Sequence, residues 1–114
     1  MSAFISNVTF DCAEPRRQAR FWSAVTGYTP LIERDDFVAL QAPDARGLRR
    51  ILFYQVPDPK LAKSRVHVDL ASKDPDVEVE RLVQLGATRV EPREGNGARW
   101  TVMLDPEGNE FCIG

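Results

Sequence analysis

The chain ends in DPEGNEFCIG, and the stretch from Glu110 to Gly114 has the alternation of a short strand. Successive strand side chains point to opposite faces, so Glu110 and Cys112 look one way while Phe111 and Ile113 look the other. The same rule applied to RVHVDL puts His67 and Asp69 on one face and Val66, Val68 and Leu70 on the opposite one. Carboxylate, thiol and imidazole are the groups from which proton-transfer catalysts, thiol nucleophiles and metal centres are built. His67 is the only histidine in the chain. A single strand histidine is more often a hydrogen-bonded structural residue than a catalyst, and surface carboxylates far outnumber catalytic ones, so these residues need a framework that brings them together.

That framework is a repeat. Slid by about sixty positions, the chain matches itself: Asn7-Val8-Thr9-Phe10 falls on His67-Val68-Asp69-Leu70, Glu14-Pro15 on Asp74-Pro75, Trp22 on Leu82 and Gly27 on Gly86. Each copy opens with an alternating strand, apolar at Val8, Phe10 and Cys12 in the first and at Val66, Val68 and Leu70 in the second. Proline then starts a helix, with Asp74 a good N-cap and Glu14 a poorer one. The stripes Gln18, Phe21, Trp22, Val25 and Val79, Leu82, Val83 make both helices amphipathic, and Gly27 and Gly86 end them. Three strand-like runs follow each helix: Pro30 to Arg34, Phe37 to Ala42 and Arg50 to Val56, then Thr88 to Glu94, Arg99 to Leu104 and Glu110 to Ile113. Turn residues separate them at Asp35-Asp36, Pro43 to Gly47, Gly95 to Gly97 and Asp105 to Asn109. The order is β-α-β-β-β, twice, with Pro57 to Lys63 as connector.

With the helices on the side of Val8, Phe10, Val68 and Leu70, the repeat sets the parity of the closing strands, because Arg50-Ile51-Leu52-Phe53 falls on Glu110-Phe111-Cys112-Ile113. Phe53 and Ile113 join the helix side. Asn7, Arg50, Leu52, Tyr54, His67, Asp69, Glu110 and Cys112 share the other face. Such a surface is either a solvent-facing or interface face, as antiparallel sheets often keep, or the wall of a binding pocket. Phe21 and Trp22 belong to helix-sheet packing, whereas Trp100 and Tyr54 fit a pocket wall or an interface.

Bulk properties exclude several classes. With 15 basic and 17 acidic residues there is no one-signed field to attract nucleic acid or an anionic membrane. The start, MSAFISNVTFD, lacks a secretory pattern, and Cys12 and Cys112 follow no close metal-binding spacing, so a cytoplasmic protein with reduced thiols is expected. Composition, 43% hydrophobic and 28% charged, is that of a globular domain.

Together these elements resemble the vicinal oxygen chelate superfamily, the glyoxalase and bleomycin-resistance fold, and within it the glyoxalase-like proteins. SNVTFDCAEP and ARFWSAVTGY in the first module, RVHVDL, and VMLDPEGNEF carry the resemblance across nearly the whole chain. It implies an α+β fold of two βαβββ modules side by side, forming an eight-stranded cup with the helices on its outer face. One glyoxalase-like domain over 1–114 is expected, with module 1 at about 1–56, a linker at about 57–63 and module 2 at about 64–114. Many relatives hold a divalent metal and a small substrate in that cup, commonly as homodimers.

The resemblance assigns metal-ligand positions to Asn7, to Leu52 or a neighbour, to His67 and to Cys112, and only His67 and Cys112 of these suit coordination. No cofactor is therefore expected, and a divalent metal is the alternative if Asp69 or Glu110 turns inward or another chain lends donors. The fold also implies that the first and last strands of a module are neighbours, placing His67 beside Cys112, where an imidazole can lower a thiol pKa and make it a nucleophile. Arg50 and Glu110 take matching places, as a salt bridge across the module interface or as a clamp for a ligand. Asn7, Arg50, Leu52, Tyr54, Asp69, Trp100 and Glu110 are the candidate ligand contacts, with His67 and Cys112 as the candidate catalytic pair. Three readings follow: a metal-independent small-molecule-binding protein or lyase or isomerase, a metal-dependent lyase, isomerase or dioxygenase, and a dimeric scaffold without ligand.

Overall fold

Pro15 and Pro75 stand where a helix has no use for an N–H, and both helices start there. The computed structural model describes residues 2–44 and 48–114 and has α1 at Pro15–Thr26 and α2 at Pro75–Leu85. Asp74 caps α2 by accepting the Val77 N–H at 3.3 Å, whereas the Glu14 side chain makes no cap bond. Gly27 and Gly86 close the helices at φ of +80° and +119°, a left-handed turn that a side chain would strain.

The strands are β1 (Asn7–Cys12), β2 (Thr29–Glu33), β3 (Phe37–Gln41), β4 (Arg50–Gln55), β5 (Val68–Leu70), β6 (Thr88–Gly95), β7 (Ala98–Leu104) and β8 (Glu110–Ile113). They form two four-stranded sheets of the same plan, β1-β4-β3-β2 and β5-β8-β7-β6. In each the first and last strands run parallel at one side, and the other pairings are antiparallel. The expected α+β class and the doubled βαβββ order are borne out. The chain divides into two compact units, the first ending at Pro59 and the second running Lys60–Gly114. Of the turn expected at Pro43 to Gly47, residues 45–47 lie outside the described residues.

In the first unit α1 lies on β3 and β4. Trp22 and Phe53 are 1% and 0% exposed, and Phe10 bridges them with ring centroids 5.3 Å from each. Burying an aromatic or large aliphatic side chain of this kind contributes about 1.5–3 kcal/mol. In the second unit Leu82, Met103, Phe111 and Ile113 form the core, with Val79 and Ala87 beside them. Phe53 and Ile113 are thus buried on the side that the parity of the repeat requires. Two expected core residues are not in it. Val83 is 38% exposed, and Val66 is 87% exposed because the register that pairs Val68 with Phe111 leaves β8 before it reaches Val66. Among the described residues, no helix is long and apolar enough to cross a membrane.

The DPEGN turn sets where β8 begins. Buried Asp105 accepts the Glu107 N–H at 2.9 Å and the Asn109 N–H at 3.0 Å through Oδ1, and the Asn109 side-chain amide donates to Oδ2 at 3.0 Å. Its own N–H donates to the Asn109 carbonyl at 2.9 Å, and Gly108 turns at φ +84°. Asp105→Ala leaves these N–H groups without their acceptor. A loss of about 2–3 kcal/mol in urea denaturation is expected, and a loss below about 0.5 kcal/mol, the range of an ordinary surface substitution, would show that the turn is held by other means.

Candidate functional site

Three of the residues singled out from sequence meet at one place. The parallel β5–β8 ladder sets Asp69 directly opposite Cys112. His67, just before β5, turns to the same side, and its Nδ1 lies 3.1 Å from Asp69 Oδ1. One ligand atom from each of His67, Asp69 and Cys112 lies within 4.8 Å of the others. His67 thus lies near Cys112, and Asp69, the cross-strand partner of the cysteine, joins them.

A cleft of about 570 Å³ in the second unit opens over these residues. Its floor follows from strand parity, since Val102 stands opposite Cys112 and Arg93 opposite Trp100. Lys63 of the connector also lines it, as do Leu70 and Glu110. At the rim a Cβ on Gly114 would come within 2.7 Å of the Arg99 carbonyl oxygen, so the last residue must be glycine to sit there. Gly114 also accepts from Ser72 N–H at 3.3 Å and donates to Leu70 O at 3.1 Å, prolonging the ladder that carries Asp69.

The carboxylates of the cleft are held by different partners. Glu110 accepts the Ser64 N–H at 3.1 Å, and the Lys60 ammonium stands 3.0 Å from the same oxygen. Burial pushes its carboxyl up, but the Ser64 N–H and the Lys60 side chain outweigh burial and bring it to about 2. The ion pair that the structure gives Glu110 is therefore with Lys60 of its own unit. This carboxylate ties the connector to β8 and thereby places Lys63.

Cys112 is half-buried, and burial first and the Asp69 carboxylate second push its thiol up, while Lys63 and Arg93 pull the other way without cancelling them. The activated thiolate expected from an adjacent imidazole does not match this environment. The Asp69 carboxylate, 3.1 Å from His67 Nδ1, stands where it can orient the ring, and a carboxylate beside an imidazole is the usual arrangement behind a proton-transferring histidine.

The remaining expected contacts belong to the first unit. Asn7 pairs with Arg50, Thr9 with Leu52 and Asp11 with Tyr54 across the parallel β1–β4 ladder. The Asn7 side-chain oxygen is buried and has no hydrogen-bond partner among the described residues. Leu52 is half-buried, and Tyr54, 46% exposed, stacks on Phe37 with centroids 4.5 Å apart. Lys63 and Arg93 were not foreseen. Asn96-Gly97 is a two-residue hairpin with both residues at positive φ, and counting outward from that Asn-Gly signal is enough to set Arg93 opposite Trp100.

The donors of the cluster, an imidazole nitrogen, a carboxylate oxygen and a thiol sulfur, fit zinc at a three-ligand open site and do not fit magnesium or manganese, which favour several oxygen ligands. The sequence alone supplied two donors. Asp69 is the third because the register sets it opposite Cys112.

The family profile described as glyoxalase-like domain matches residues 7–114, and the resemblance drawn from the residues is borne out. No curated protein matches the chain. Among solved structures, the chain is similar to a glyoxalase/bleomycin resistance protein/dioxygenase family enzyme from Burkholderia phytofirmans, with TM-score 0.79 and 21% identity over 97% of each chain. It is similar to a mutant of the fosfomycin resistance protein FosX from Listeria monocytogenes, complexed with Mn(II) and 1S,2S-dihydroxypropylphosphonic acid. There the TM-score is 0.80 and the identity 15%, over 99% of this chain and 90% of that one. A third similar structure is the bleomycin-binding protein of Streptomyces verticillus complexed with copper(II)-bleomycin, with TM-score 0.66 and 18% identity over 99% and 97%. At these identities the likeness shows the fold.

Glu110 gives a pH test of the geometry. Its folded pKa of about 2 lies below the ordinary 4.5, so its contribution to stability is complete above pH 4.5 and is lost as pH falls toward 2. In metal-free protein, urea denaturation between these limits should show a steeper acid loss for the native chain than for Glu110→Gln. Identical slopes would mean that Lys60 and Ser64 do not hold the carboxylate.

Proposed function

The chain belongs to the glyoxalase-like domain family, and we propose that this member is a single domain of two modules that binds a small molecule in the cleft of its second unit, without needing a metal to do so. The cleft itself is the observation that carries this reading. About 570 Å³ is the size of a small-molecule pocket. Trp100, Val102 and Leu70 offer apolar wall, and His67, Asp69, Lys63, Arg93 and Cys112 offer polar groups, the composition such pockets usually have. Asp69 already has a neighbour in His67, 3.1 Å away.

If the bound molecule is turned over, His67 is the residue to move a proton, with the Asp69 carboxylate beside its ring. Cys112 then serves as a neutral contact, consistent with its raised thiol. Relatives of this fold bind a phosphonate and bleomycin, which supports a small organic ligand and leaves its identity to experiment. A thermal-shift screen of metabolites and aromatic drugs should give at least one compound that raises the midpoint, because a ligand of the folded state stabilises it by mass action. His67→Ala should then abolish any turnover while keeping binding. A screen with no stabilising compound at millimolar concentration would remove the reading.

The three-donor cluster favours a second reading, a metal-dependent lyase, isomerase or dioxygenase. His67, Asp69 and Cys112 would hold zinc, which would supply Lewis-acid polarisation of a ligand oxygen. Calorimetric titration of chelator-treated protein with zinc discriminates. Under this reading one ion binds per chain, and Cys112→Ser or Asp69→Asn weakens it by about tenfold or more. Binding unchanged in both variants would exclude the site.

A further inference from the structure

Resting on the small-molecule reading, we propose that the cleft of the second unit selects organic anions with an aromatic body, the ring against Trp100 and the charged group taken by Lys63 and Arg93. The balance of charges around the cleft points there. Its two lining carboxylates are already engaged, Asp69 by His67 and Glu110 by Lys60 and the Ser64 N–H. Lys63 has no ion pair among the described residues. Arg93 shares Glu91 on its own strand, but both side chains are exposed, 58% and 48%, and such pairs are readily exchanged for a better acceptor.

Position adds to charge. Arg93 and Trp100 are direct cross-strand partners, so a guanidinium and an indole stand side by side on the floor of the cleft. A planar guanidinium suits carboxylate, sulfonate and phosphonate alike, and an indole suits a flat apolar body. Lys63 approaches from the connector, where the Glu110 carboxylate fixes the neighbouring Ser64. Neutral aromatic molecules would use the wall and leave the cations unused. Metal cations would have to oppose them.

Fluorescence titration of the full chain with two matched probes tests this. 8-Anilinonaphthalene-1-sulfonate carries the anion, and N-phenyl-1-naphthylamine has the same aromatic body without it. The sulfonate should bind about tenfold more tightly or better, as expected for one charge-assisted contact, and its affinity should fall with added salt. Lys63→Gln and Arg93→Gln should each remove most of that advantage and leave the neutral probe unchanged, with thermal midpoints near that of the native chain because both side chains lie on the surface. Equal binding of the two probes, or an advantage that survives both substitutions, overturns the selectivity while leaving the small-molecule reading intact. Failure of both probes to bind, with the screened compounds also inert, overturns the two together.

Discussion

The parallel ladder between β5 and β8 decides what this protein can do with its second unit. It sets Asp69 against Cys112 and brings His67 to the same side. Side chains alternate along a strand, so a slip of one residue would turn Glu110 and Cys112 inward and carry Phe111 and Ile113 out to the cleft. The phase is held from two ends. Upstream, the Asp105 carboxylate collects the N–H groups of the DPEGN turn and starts β8 at Glu110. Downstream, Gly114 fits against the Arg99 carbonyl and bonds to Leu70 and Ser72. The burial of Phe111 and Ile113, each 1% exposed, makes the alternative phase costly.

Within that frame the charges are divided by position. Glu110 faces the connector and is spent on structure, tying Lys60 and Ser64 to the last strand. Asp69 faces the cleft and engages His67, and its charge helps keep the neighbouring thiol protonated. The same carboxylate would be a ligand if an ion were present. The two proposed readings, a metal-free pocket and a zinc site, thus rest on the same three side chains.

Much of the fold was legible because it rests on local chemistry. Proline at a helix start, glycine at its end and alternation in the strands are written in neighbouring residues, and the repeat at an offset of about sixty residues doubled each signal. Val66 shows where such reasoning stops. Its alternation is that of a buried strand residue, yet the strand ends short of it, and the length of a ladder depends on where a partner strand distant in sequence begins to pair, which local pattern does not contain.

The site was legible in its residue types and less so in its neighbours. The sequence by itself determined that His67, Asp69, Glu110 and Cys112 share one face, and that two βαβββ units carry them, since periodicity and turn chemistry act over a few residues. Only tertiary structure decided that Asp69 stands next to Cys112, that Glu110 is taken by Lys60, and that Lys63 and Arg93 enter the cleft. Those outcomes depend on the register between strands distant in sequence and on the desolvation and charge found there, and such quantities exist only once the chain has closed on itself.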